Sequence, residues 1–120
     1  MMKYRFEDLR VGEEILDFID LVYETTQSFP SDEKFALTSQ IRRAATSVYL
    51  NIAEGSARKS GPDFARFITM SLGSLVEVSA SDKIALRQQY LTNQRYQEVR
   101  NKSQGIWFQL CALRDSQKKS

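Results

Sequence analysis

The chain of 120 residues contains no histidine, a single cysteine, two prolines and five glycines. Each scarcity removes a class of function. Without histidine, a Ser-His-Asp or Cys-His nucleophile cannot be assembled, and the Glu-x-x-His pair of carboxylate-bridged di-iron bundles is missing. Zinc sites draw largely on histidine and cysteine, so a catalytic metal is not expected either. With only Cys111, an intramolecular disulfide is excluded, and a reducing cytoplasmic compartment is the simplest expectation. Cys111 has no histidine to activate it and is expected to be an inert, half-buried thiol. No apolar run approaches the roughly 20 residues of a membrane span, and MMKYRFEDLR lacks the apolar stretch of a signal peptide. Gly55, Gly61 and Gly73 form neither a P-loop nor a G-x-G-x-x-G turn. The sequence therefore predicts no enzyme, no cofactor and no membrane partner.

What remains is ordinary for one globular domain: 42% hydrophobic and 27% charged residues, enough to bury about two-thirds of the unfolded surface without a staple. The net charge of +2 is unevenly spread, with residues 1–40 at −5 and residues 41–120 at +7. Such polarity suits an acidic face of one subunit docking on a basic face of another, and it also permits contact with nucleic acid.

The few breakers fall at Pro30-Ser31, Ser60-Gly61-Pro62 and Tyr90 to Asn93, which divides the chain into four helical segments of about 9–29, 32–56, 62–89 and 93–115. Val11, Ile15, Phe18, Ile19, Val22 and Phe29 share a narrow arc at 100° per residue on the first, whose other side is acidic. The second is expected to start on Ser31 as N-cap and to stack Ile41, Ala44, Ala45, Val48 and Ile52. The third opens on Ser60 and carries Phe64, Ile68, Leu72, Leu75 and, unexpectedly, Asp82. The fourth, opening at Thr92 or Asn93, packs Tyr96, Val99, Ile106, Trp107, Leu110 and Leu113. Short connections predict antiparallel neighbours, hence an all-α, up-down-up-down four-helix bundle.

Four groups of residues are candidates for function. Asn51 and Glu54 lie on a polar stripe of the second helix, either solvated or bonded to the backbone of the Ala57 to Gly61 connection. Arg42, Arg43, Arg58, Lys59 and Arg66, with Lys118 and Lys119, could contact phosphates, since arginine forks suit them, or a small acidic ligand. Asp82 should either pair with Arg100 or Lys102 or, by local curvature of the helix, reach water or an intersubunit groove. Leu50, Phe108, Leu21 and Met70 point away from the stripes. With Tyr49 and the small-residue face of Gly73 they could form a subunit interface; a mid-helix glycine asks for a packing reason, within the bundle or between subunits.

The strings QIRRAA (Gln40 to Ala45) and NIAEG (Asn51 to Gly55), with Arg58, Ser60, Phe64, Phe67 and GSL-x-E (Gly73 to Glu77), resemble the bacterial four helix bundle protein family, also called the 23S rRNA intervening-sequence protein family. The resemblance implies a left-handed antiparallel bundle, often a homopentamer, and a distant similarity to the accessory protein of diversity-generating retroelements, which associates with reverse transcriptase and nucleic acid. The family usually has apolar residues where this chain has Ala80-Ser81-Asp82-Lys83. Two functions follow as expectations: a non-enzymatic homo-oligomeric scaffold or adaptor, and an RNA- or DNA-binding accessory protein.

Overall fold

In a computed structural model, which describes residues 1–119, the chain folds into four helices: α1 (Arg10–Thr26), α2 (Leu37–Ser56), α3 (Gly61–Arg87) and α4 (Asn93–Lys118). There is no strand among the described residues, and none of the helices is long and apolar enough to cross a membrane. At 1.5 Å per residue α3 is about 40 Å long, which accounts for the 45 Å long axis of the molecule.

The apolar stripes meet as expected. Ile15, Phe18 and Val22 of α1, Ile41, Val48 and Ile52 of α2, Phe64, Ile68 and Leu75 of α3, and Val99, Ile106 and Leu110 of α4 are buried together. Full burial of each such side chain contributes roughly 1.5–3 kcal/mol. Ser71, in the stripe of α3, is accommodated because its hydroxyl donates to the Val48 carbonyl across the α2–α3 interface at 2.7 Å. Trp107 departs from expectation: it stands 37% exposed at the edge of α4, outside the core. Leu21, expected to face outwards, is half-buried against the core.

Helix starts are legible where a side chain caps. Ser60 Oγ accepts from the Asp63 amide at 3.1 Å and Thr92 Oγ1 from the Arg95 amide at 3.2 Å. Ser31 is not a cap. It opens a 3-10 turn (Ser31–Glu33), and α2 begins five residues later than the 32 expected. There Glu33 substitutes for a cap, its Oε1 accepting from the Leu37 amide at 3.5 Å while Oε2 accepts from the Tyr90 hydroxyl at 3.0 Å.

The first helix stops at Thr26 because Thr25 and Thr26 both donate their hydroxyls to the Val22 carbonyl, competing with the helical ladder. Phe29 is buried from the connection instead, 5.8 Å from the Tyr90 ring. The third helix ends at Arg87 in a Schellman motif: Tyr90 N bonds Ala85 O at 2.9 Å and Gln89 N bonds Leu86 O at 3.0 Å. Gln89 supplies the left-handed residue, with φ of 66°.

Candidate functional site

No group of three or more His, Cys, Asp or Glu side chains that could hold a metal ion exists among the described residues. The candidate surfaces are thus polar, basic or apolar contacts.

The polar stripe does not hold the α2–α3 connection by its backbone. Asn51 donates its side-chain amide to Ser47 O at 2.9 Å, inside its own helix, and Glu54 pairs with the Arg58 guanidinium at 3.1 Å. What brings the two helices together is Gly55. A Cβ at Gly55 would stand 2.5 Å from Phe67 Cβ and 2.9 Å from the Phe64 ring, closer than real contacts allow. Sequence reasoning placed Gly55 in a family string without seeing this role; the signal was a glycine in the last turn of one helix facing a Phe-x-x-Phe pair in the first turns of the next. Gly73, for which a packing reason was expected, is exposed, and a Cβ there would meet nothing within 4 Å. The small-residue face is thus open around Gly73, while Ala65 on the same face is buried.

The five cations do not form one patch. Arg58 and Arg66 lie over the Phe67 ring at 4.5 and 4.7 Å, and both are neutralised, Arg58 by Glu54 and Arg66 by Asp63 at 2.9 Å. Lys59 is exposed beside them. Roughly 18 Å of helix separates residue 55 from residue 43. At that far end Arg42 turns to α1, its guanidinium 4.6 Å over the Tyr23 ring and its Nε donating to Thr26 Oγ1 at 2.9 Å. Arg43 points to solvent. Lys118 and Lys119 are exposed at the end of α4.

Asp82 is 2% exposed, yet the expected ion pair is not formed. Lys102 reaches Glu14 instead, at 3.7 Å, and Arg100 lines a groove on the outside of α3 and α4. Asp82 Oδ2 has no hydrogen-bond partner, and burial pushes the carboxyl up to about 7 from its ordinary 3.8. The second buried polar atom without a partner is Thr38 Oγ1.

Of the expected interface residues, Leu50 and Phe108 are each 62% exposed. Tyr49 is half-buried against the core: the N-terminal Phe6 ring meets it edge-on at 5.8 Å, a Cβ at Gly12 would stand 3.8 Å from its ring, and burial raises its hydroxyl pKa. Phe108 joins Val76 and Trp107 around a groove of about 350 Å³ between α3 and α4, with Arg100 and Gln104 at its polar rim. Val76 belongs to the small-residue face expected to pair within the bundle or between subunits, whereas Trp107 was expected in the core, because an aromatic on a helical stripe reads as core when only the period is known.

A solved structure similar to the chain is a protein of unknown function from the S23 ribosomal protein family of Bacteroides thetaiotaomicron, 25% identical, with a TM-score of 0.76 over 86% of this chain and 96% of that one. No match is found among curated proteins. The pattern of the 23S rRNA-intervening sequence protein family fits residues 7–111, nearly the whole bundle, and the chain belongs to that family.

Proposed function

We propose that the protein is a non-enzymatic, cytoplasmic homo-oligomeric scaffold or adaptor, built from a left-handed up-down-up-down bundle whose α3–α4 face is covered by another copy. Contacts between helices support the alternating directions. Ser71 meets Val48 while Gly55 meets Phe64 and Phe67, and on the other side Arg95 pairs with Glu24 while Lys102 pairs with Glu14.

The observation that carries the reading is the exposure of Val76 (54%), Trp107 and Phe108 around one groove. Three large apolar side chains on one recess, each worth roughly 1.5–3 kcal/mol when fully buried, are more than a monomer gains by exposing them. Covering by an identical subunit fits the division of charge, since the exposed acidic residues of α1 (Glu13, Asp17, Asp20) complement Arg100 at the groove's rim. The number five rests on the family resemblance.

Light scattering tests it. The wild type should form an oligomer that persists at high salt, as an apolar interface does, and Phe108→Glu should release monomers. A 13.8 kDa particle at micromolar concentration would overturn the reading, and an oligomer indifferent to both Phe108→Glu and Val76→Glu would move the interface elsewhere.

A further inference from the structure

We propose that the groove where the α1–α2 connection meets α2, lined by Tyr23, Lys34, Phe35, Thr38, Arg42 and Arg43, binds single-stranded nucleic acid, with an unpaired base on Phe35 and phosphates on the three cations. The site is not the five-cation patch expected from the sequence, and it does not depend on oligomerisation.

Its volume, about 430 Å³, lies in the range of ligand clefts. Phe35 is 89% exposed although it is the residue a fold would most readily hide. It is held outward by anchored chain on both sides: Glu33 is tied to the Leu37 amide and the Tyr90 hydroxyl, and α2 begins two residues later. The Lys34 ammonium lies 5.4 Å over the Phe35 ring, so a cation and an aromatic face are presented together. A second such pair stands across the groove, where Thr26 Oγ1 and the Tyr23 carbonyl (3.4 Å) accept from Arg42 and keep its guanidinium over the Tyr23 ring.

Among the described residues, none of Lys34, Arg42 and Arg43 has a carboxylate within ion-pair distance, whereas Arg58, Arg66 and Arg95 all do. Arg87 and Arg100 also lack a carboxylate, but here three such cations surround one groove beside an exposed aromatic ring. Thr38 adds a buried hydroxyl with no partner at the floor of the same groove. Cations without carboxylates attract phosphate, and exposed aromatic faces take up bases that are not already stacked; together they select single strands over duplex, whose base faces are hidden.

The test is a polarisation titration at low salt with labelled single-stranded homopolymers and a duplex, with inorganic polyphosphate and an acidic peptide as competitors. The wild type should bind the single strand more tightly than the duplex. Phe35→Ala should weaken it about ten-fold, the scale of one lost stack, and Phe35→Trp should restore it with a fluorescence change on binding. Arg43→Glu should weaken binding and flatten its salt dependence, while Arg66→Glu, at the opposite end, should change neither. Since Phe35 is nearly fully exposed, its replacement leaves the fold intact. The proposal is overturned if the wild type does not bind the oligonucleotides, if Phe35→Ala and Arg43→Glu bind as the wild type does, or if the duplex binds as tightly. It is also overturned if the acidic peptide displaces the strand from the wild type as readily as polyphosphate does.

Discussion

The two ends of the molecule solve the same problem with opposite thoroughness. At the α2–α3 corner all charged groups but the exposed Lys59 have partners: Glu54 holds Arg58, Asp63 holds Arg66, both guanidiniums cover Phe67, Arg5 covers Phe64 at 5.0 Å, and Gly55 lets the helices touch. At the other end, where the α1–α2 and α3–α4 connections lie together through the Tyr90–Glu33 bond, the molecule leaves loose ends. Thr38 and Asp82 are buried without partners, Arg43 and Phe35 face water, and Gln89 occupies a backbone conformation suited to glycine. With α2 and α3 antiparallel, the Ser71–Val48 bond sets a register in which Thr38 and Asp82, about three turns further along each helix, come to one level. One end is optimised for stability; the other keeps unsatisfied groups, as functional regions do.

The comparison breaks most sharply at Asp82. Its carboxyl is protonated in the fold up to about pH 7 but only to 3.8 when unfolded, so between those values the native state binds the extra proton. The stability contribution is therefore fully present below 3.8 and lost as pH rises through about 7. At 1.36 kcal/mol per unit the whole loss is about 4 kcal/mol. No cation offsets it, because Lys102 is engaged by Glu14 and Lys83 lies over the Tyr96 ring at 5.3 Å. Denaturant midpoints of the wild type should fall from acid to neutral pH, those of Asp82→Asn should be flat over the same window, and Asp82→Leu should be the most stable of the three at pH 8. Parallel curves for wild type and Asp82→Asn would place the ionised carboxylate in water and remove the contrast between the ends.

The corner should break by crowding. Gly55→Ala puts a methyl 2.5 Å from Phe67 Cβ, on α3 close to its start, with little freedom to withdraw. Such overpacking costs about 1–3 kcal/mol. Gly73→Ala meets nothing and gains helix propensity, up to about 1 kcal/mol. The two glycines of the family strings should thus shift the thermal midpoint in opposite directions, and a Gly55→Ala variant as stable as the wild type would mean that the corner is not tightly closed.

The same division explains what could be read from the sequence. The four helices, their apolar stripes and the caps at Ser60 and Thr92 depend on local spacing and were legible. Ser31 failed as a cap because Glu33 and Tyr90, 57 residues apart in sequence, outcompete it at the start of α2. The Glu54–Arg58 and Asp63–Arg66 pairs sit at i,i+4 and i,i+3 and were open to reading from spacing, but the five cations could not be grouped, since spacing along one chain does not say that Arg42 turns to α1. The Lys34/Phe35 pair was not legible because the expected helix 32–56 enclosed it, whereas α2 begins only at Leu37 and leaves the pair in the connection. Asp82 stood out correctly as an anomaly; its lack of a partner depends on where Lys102 and Arg100 point, which is a tertiary fact.

The smallest effect lies at Gln89, in the loosely finished end. Its φ of 66° is the left-handed position of the Schellman motif closing α3, where a side chain crowds the following carbonyl and glycine does not. Gln89→Gly relieves that crowding but enlarges the conformational freedom of the unfolded chain, so the net gain should be about 0.5–1 kcal/mol. Gln89→Ala, which keeps the Cβ, should change little, and this pair separates backbone strain from any loss of side-chain contact. Thermal melts of the three proteins at one pH suffice. A Gln89→Gly variant less stable than the wild type would show that glutamine is held there by its side chain, and that this turn is as carefully finished as the α2–α3 corner.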